Sequence, residues 1–180
     1  FYYASSYYHN LTNWCVYKIP YSPSSFRYGS PLVASYEPIW GTCVSSSGIK
    51  LVNSGCYECD GLVLGTSIGP LGDSVTVVNR TMLDSIINSG LSVNNLCVSQ
   101  VTDMSALFLN KTNFNESLER WDVSNVYDMS WMFANDRNFN KDIGSWNVSN
   151  VINMSYMFYY AIAFNQDIGV WNFCSVTNMS

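Results

Sequence analysis

The residue types best suited to chemistry are thinly spread along this chain. Gly65-Thr66-Ser67-Ile68-Gly69 has the G-x-S-x-G spacing of a nucleophile elbow. That device needs a strand before the serine, a helix after it and a later histidine to take the proton. Pro70 and Gly72 follow instead, and the single histidine, His9, lies upstream, so the motif reads as a Gly/Ser turn. Cys56-Tyr57-Glu58-Cys59 has the spacing of a redox pair or half a zinc site, yet no second pair accompanies it. Without an acid, base or metal-ligand cluster, the chain reads as a non-enzyme that needs no cofactor.

Two other residue types carry covalent chemistry. Six cysteines at Cys15, Cys43, Cys56, Cys59, Cys97 and Cys174 form an even set, as expected of disulfides in a secreted chain. Fifteen pairings are open; Cys15 with Cys43 and Cys59 with Cys97 are preferred. Cys174 stands where the preceding copy of a repeat has Ser149, and a free thiol, a local bond and a bond to a neighbouring subunit all stay open for it. Asn-x-Ser/Thr acceptors for N-glycans occur at Asn10, Asn79, Asn110 and Asn147, the favoured set. Those at Asn115, Asn153 and Asn178 fall on repeat positions with a structural use.

The elements that must position these residues are set by a 25-residue period. VTDMSALFLNKTNFNESLERWDVSN begins at Val101, VYDMSWMFANDRNFNKDIGSWNVSN at Val126 and VINMSYMFYYAIAFNQDIGVWNFCS at Val151, and a fourth copy starts at Val176. Such a period marks stacked repeats, or a solenoid. The invariant apolar positions form five columns that a stacked core would bury. They are Val101, Val126 and Val151; Met104, Met129 and Met154; Phe108, Phe133 and Phe158; Phe114, Phe139 and Phe164; and Trp121, Trp146 and Trp171. Met and Phe four apart share one face of a short helix, with Asp103, Asp128, Asn153 and Asn178 placed to cap its N–H groups. Trp-x-Val/Phe alternates as a strand should. Asn115, Asn140 and Asn165 are expected to form a buried turn ladder, their amides bonding the neighbouring coil's backbone.

Upstream, Val75–Val78 reads as a strand, and the stretch from Asn79 to Gly90 as an amphipathic helix with Met82, Leu83, Ile86 and Ile87 on one face. Leu96-Cys97-Val98-Ser99-Gln100 aligns with Trp121-Asp122-Val123-Ser124-Asn125 and adds one more strand. Residues 71–100 are thus an N-terminal cap, 101–180 the repeats, and 1–70 a separate Tyr/Ser/Cys-rich unit. The expected fold class is α/β, a leucine-rich-repeat-like solenoid of short strands and short helical turns behind an irregular β-rich module.

The pattern VTxMSxMFxxxxxFNxDIGxWxVSN, with its lead-in VTVVNRTMLDSIINSGLSVNNLCVSQVTDMS, resembles the BspA-like surface-protein repeats, a leucine-rich-repeat-like family of bacterial and protist surfaces. The resemblance covers about residues 70 to 180. It implies a secreted or surface-exposed solenoid used for attachment, self-association or host contact, without catalytic residues.

Composition is compatible with that setting. Charged residues are 12% of the chain, against about 25% in an average domain. With 8 Lys+Arg, 13 Asp+Glu and no basic cluster, the footprint of a nucleic-acid binder is missing. No apolar run approaches the roughly 20 residues of a membrane span, and no signal-like segment opens the chain. Eight of the thirteen tyrosines lie in the first 36 residues, beside β-prone pieces at Leu32–Tyr36, Ile39–Val44 and Ile49–Val52. This region is either an interface module or an arm lying along its own solenoid.

The fourth copy breaks off after Ser180 without a polar cap, so either more repeats follow or another subunit covers the end. The expected function is therefore that of an extracellular structural or adhesive protein, a homo-oligomer assembling head to tail into a filament or surface layer. The alternative is a monomeric module binding carbohydrate or a host ligand through Trp131, Tyr156, Tyr159 and Tyr160. These occupy variable repeat positions, where outward exposure and a second packing layer are both open.

Overall fold

The computed structural model describes residues 75–180 in full, together with 3, 5–9, 11, 22–23, 26, 28–32, 37 and 64–65. The expectations for Cys15, Cys43, Cys56, Cys59, Ser67, Asn10 and most of the β-prone pieces lie outside the described residues.

Three elements open the well-described part: β1 (Thr76–Val77), α1 (Arg80–Asn88) and β2 (Leu96–Cys97). β1 and β2 pair in parallel, Thr76 opposite Leu96 and Val77 opposite Cys97, with α1 as the crossover. Asn79 is the N-cap of α1, its side chain accepting from the Met82 N–H at 3.0 Å. Gly90 follows the helix at φ +68° and donates to the Ile87 carbonyl at 3.2 Å, a left-handed stop that favours glycine. Leu83 and Ile87 are buried, with Met82 and Ile86 packed beside them. Arg80 ties the helix to the first repeat copy, donating to the carbonyls of Asp103 at 3.0 Å and Ser105 at 2.8 Å.

Within the copies, the expected helical turn does not form. Ala106, Asn110, Trp131, Asn135, Tyr156 and Tyr160 have φ between +55° and +61°, and a left-handed residue cannot continue a right-handed helix. The cause is visible in where the N–H groups go. Met104, Ala106, Phe108 and Asn110 donate to the carbonyls of Asp128, Ser130, Met132 and Ala134 in the next copy at 2.8–3.0 Å. Met129, Trp131 and Phe133 donate in the same way to Asn153, Ser155 and Met157 at 2.9 Å, and Asn135 donates to Tyr159 at 2.6 Å. In the third copy, Met154 and Tyr156 donate to Asn178 and Ser180 of the fourth at 2.9 and 2.8 Å. An α-helix would consume these donors internally, and here they join copy to copy.

The expected Trp-x-Val strand is absent as well. Parallel bridges occur instead at Asp103, Asp128, Asn153 and Asn178, while Trp121 and Val126 donate into local turns. The carboxyl or amide of Asp103, Asp128 and Asn153 accepts the N–H two residues on, at 2.8–3.1 Å, capping a turn rather than a helix.

The columns stack at one-copy intervals. Phe108 lies 5.4 Å from Phe133, and Phe133 lies 5.8 Å from Phe158, ring centre to ring centre. Phe114, Phe139 and Phe164 follow at 5.9 Å per step. The methionine column is buried although it belongs to no helix; Met104 and Met129 are wholly enclosed, while Met154 keeps 5% of its surface. Phe114 departs from the expected ladder, being half-buried where Phe139 and Phe164 are enclosed. It heads its column, with no phenylalanine one copy before it to cover the ring. The indoles of Trp121, Trp146 and Trp171 each donate to a carbonyl 28 residues earlier, those of Val93, Leu118 and Ile143. Each buried aromatic removes about 150–250 Å² from water, an upper estimate of roughly 4–6 kcal/mol per ring.

Part of the N-terminal segment lies on the third copy. Tyr3 stacks on Tyr160, the Ser5 hydroxyl donates to the Ile162 carbonyl, Tyr7 stacks on Phe164 and His9 Nε2 donates to the Asn165 carbonyl. The separation is 157 residues at Ser5 and 156 at His9, a parallel run. Tyr7 is fully buried, 6.2 Å from Phe164 with the rings 4° from parallel, a further rung on the Phe114–Phe139–Phe164 column. Leu11, Phe26 and Leu32 join the same core.

Candidate ligand-binding groove

The inter-copy bonding fixes what projects outward. Of the residues that donate to the next copy, Met104, Phe108, Met129 and Phe133 turn their side chains into the core, while those at the left-handed positions between and after them turn away from it. Asparagine suits such a backbone, and the chain places it at Asn110 and Asn135. At Trp131, Tyr156 and Tyr160 it places bulky aromatics instead, each costing roughly 1–3 kcal/mol of backbone strain. Trp131 is 38% exposed and Tyr156 39%. Their rings stack at 4.4 Å.

Ring contacts continue from there. Trp131 lies 5.8 Å from Tyr159, Tyr159 4.8 Å from Tyr160, Tyr160 4.7 Å from Tyr3 and Tyr3 5.2 Å from Tyr28. Gly29 permits the last step, because a Cβ there would meet the Tyr3 ring at 2.5 Å. Beside this aromatic run lies an open groove of about 760 Å³, walled by Trp131, Tyr159, Tyr160 and Leu109, a volume typical of small-ligand sites.

The polar wall is a relay of three side chains. Asn135 Nδ2 donates to Asn110 Oδ1 at 2.8 Å, and Arg137 Nε donates to Asn135 Oδ1 at 3.3 Å. Arg137 is exposed and makes no ion pair among the described residues. Between them in sequence, Asp136 is fully buried. One of its oxygens accepts from the Asn138 N–H at 3.4 Å, and Oδ2 has no partner. Burial pushes this carboxyl up to about 7, against the lowering effect of N–H groups from Asn138 and Phe139.

Of the residues that the sequence singles out for binding, Trp131, Tyr159 and Tyr160 come together here with Tyr156 stacked behind. Asn110, whose Asn-x-Thr spacing makes it a candidate glycosylation position, shares the wall, and Asn147 is exposed elsewhere. Asn79 is half-buried as a helix cap. The Asn column bonds in steps of 25, the Asn140 N–H to Asn115 Oδ1 and the Asn165 N–H to Asn140 Oδ1. It is not buried as expected: Asn115 and Asn140 are exposed and Asn165 is intermediate. Cys97 and Cys174 are both disulfide-bonded, so Cys174 is not a free thiol. They sit three copy steps apart, roughly 14 Å at the usual strand spacing, too far to be bonded to each other. Asn135, Arg137 and Asp136 do not stand out in the sequence; their signal is only that they vary within an otherwise fixed repeat.

Among the described residues, no group of three or more His, Cys, Asp or Glu could hold a metal ion, and no helix is long and apolar enough to cross a membrane. A family model described as "Mycoplasma protein of unknown function, DUF285" matches residues 79–180, more than half of the chain. No curated protein and no solved structure matches.

Proposed function

The chain belongs to the DUF285 family, and from that premise we propose that it is an extracellular attachment protein without enzymatic activity. In this reading its copies are coils of a leucine-rich-repeat-like solenoid of the BspA-like kind, and its turn face engages a ligand on another surface. The observation that carries the reading is the aromatic groove. Bulky rings occupy left-handed positions at Trp131, Tyr156 and Tyr160 and leave two of them more than a third exposed. The left-handed backbone recurs at the same positions in all three full copies. What sets the second and third apart is that it carries large aromatic side chains at Trp131, Tyr156 and Tyr160, where the first copy has Ala106 and Asn110. The test is adhesion of fluorescent beads carrying the chain to cell monolayers. The double variant Trp131→Ala, Tyr156→Ala is expected to lose most adhesion while keeping its circular dichroism spectrum, and unchanged adhesion would refute the reading.

Self-association is a second reading, favoured by the docking of Tyr3–His9 in register with the third copy. A segment that packs on its own stack as a further rung can pack on that of a second copy, and a head-to-tail exchange of this kind propagates.

A further inference from the structure

We propose that the groove beside Trp131 binds a linear glycan carrying carboxylate groups, with successive sugar rings laid along the aromatic run and the acidic substituent held by Arg137. The inference rests on the attachment reading and adds the chemical class of the ligand.

Three observations select this ligand. The first is the shape of the apolar surface. Trp131, Tyr159 and Tyr160 form a connected run of rings with centres 5.8 and 4.8 Å apart, extended by Tyr3 and Tyr28. The rings are turned against one another, by 58° between Trp131 and Tyr159 and by 68° between Tyr159 and Tyr160. Each therefore offers its own face or edge along the groove, which suits a chain of sugar units that meets the rings one at a time. A peptide side chain or a lipid tail would instead call for one deep pocket, and this groove is open.

The second is the polar wall. Asn110, Asn135 and Arg137 line the same groove, and hydrogen bonds between them hold the two amides and the guanidinium in fixed relation. Asn110 Nδ2 and the terminal nitrogens of Arg137 are not used in that relay, so they remain as donors. Directional donors beside aromatic faces are what ring hydroxyls and a carboxylate require.

The third is charge. The chain has a formal net charge of −5, and an acidic ligand would be repelled by most of its surface. Arg137 is the one charged residue lining the groove, exposed and without an ion pair among the described residues. An anionic group is therefore favoured at this place and discouraged elsewhere, which fixes register as well as affinity.

The test uses the full chain and three probes: a hexasaccharide of alternating glucuronate and N-acetylglucosamine, a neutral N-acetylglucosamine hexasaccharide and polyglutamate. Calorimetry and quenching of tryptophan fluorescence supply the readouts. The acidic hexasaccharide should bind at least ten-fold more tightly than its disaccharide and than the neutral hexasaccharide. Trp131→Ala should weaken it about ten-fold or more at all salt concentrations. Arg137→Gln should bring the acidic and neutral oligosaccharides to equal affinity and abolish the salt dependence. Equal binding of the two hexasaccharides by the unaltered chain, or equal competition by polyglutamate, would overturn the proposal. Beads that still adhere through Trp131 and Tyr156 while no hexasaccharide binds would overturn the glycan and leave the attachment reading standing.

Discussion

Asp136 shows what one non-repeating side chain costs in an otherwise regular core. Its counterparts are Lys111, half-buried, and Ala161, buried, so only in the second copy does the stack enclose a carboxyl. Desolvation outweighs the backbone N–H groups and raises its folded-state value from 3.8 to about 7. The folded state therefore holds a proton that the unfolded state releases between these values. Its contribution is present at acid pH, declines as pH rises towards 7, and is absent above it. At about 1.4 kcal/mol per pKa unit, the penalty for ionising it in place reaches a few kcal/mol. Asp136→Asn is expected to raise the melting temperature at pH 8 and to have little effect at pH 4.5, as thermal unfolding monitored by circular dichroism would report. An equal shift at both pH values would show that packing, not charge, sets the difference.

Among the elements, legibility in the sequence follows how local the causes are. α1 can be read because Asn79, the Leu83/Ile87 face and Gly90 each act within a few residues. The aromatic columns can be read because the period names them. The helical turn expected at Met104–Phe108, Met129–Phe133 and Met154–Phe158 does not form, because Met and Phe four apart also share a side when every second N–H bonds to another copy. Nothing in the side chains of Ala106, Trp131 or Tyr156 announces a left-handed backbone. The junction between α1 and the first copy is equally hidden, since Arg80 reaches Asp103 and Ser105 across more than 20 residues. Its contact with Asp84 is a surface pair of little consequence, the two side chains being 32% and 41% exposed. The bonds to main-chain carbonyls are the stronger link. Arg80→Met is expected to cost about 1–3 kcal/mol and to speed amide exchange in α1 more than at Phe133 or Phe158, as hydrogen-exchange mass spectrometry would measure.

In the molecule as a whole, each copy contacts its neighbours, and stability is close to a sum of nearest-neighbour terms. The N-terminal segment departs from that rule, because residues at the start of the chain pack on the third copy. That long-range contact has no periodic signature, and the sequence leaves it as one of two alternatives. Tyr7→Ala is expected to remove about 3–5 kcal/mol of contact energy, by analogy with other buried aromatics. Limited proteolysis should then cleave the first residues while the 101–180 region stays intact, and any fibres seen by negative-stain electron microscopy of the unaltered chain should disappear. The inter-copy bonds from 104–110 to 128–134 also point along the direction in which copies pile up. Traction between the two ends of the pile would load them along their length, one copy at a time, so the molecule would yield in discrete steps. Each released copy of 25 residues lengthens the molecule by roughly 85 Å at full extension. A protein that tethers one surface to another would thereby absorb a sudden pull by lengthening, and its remaining copies would keep their grip.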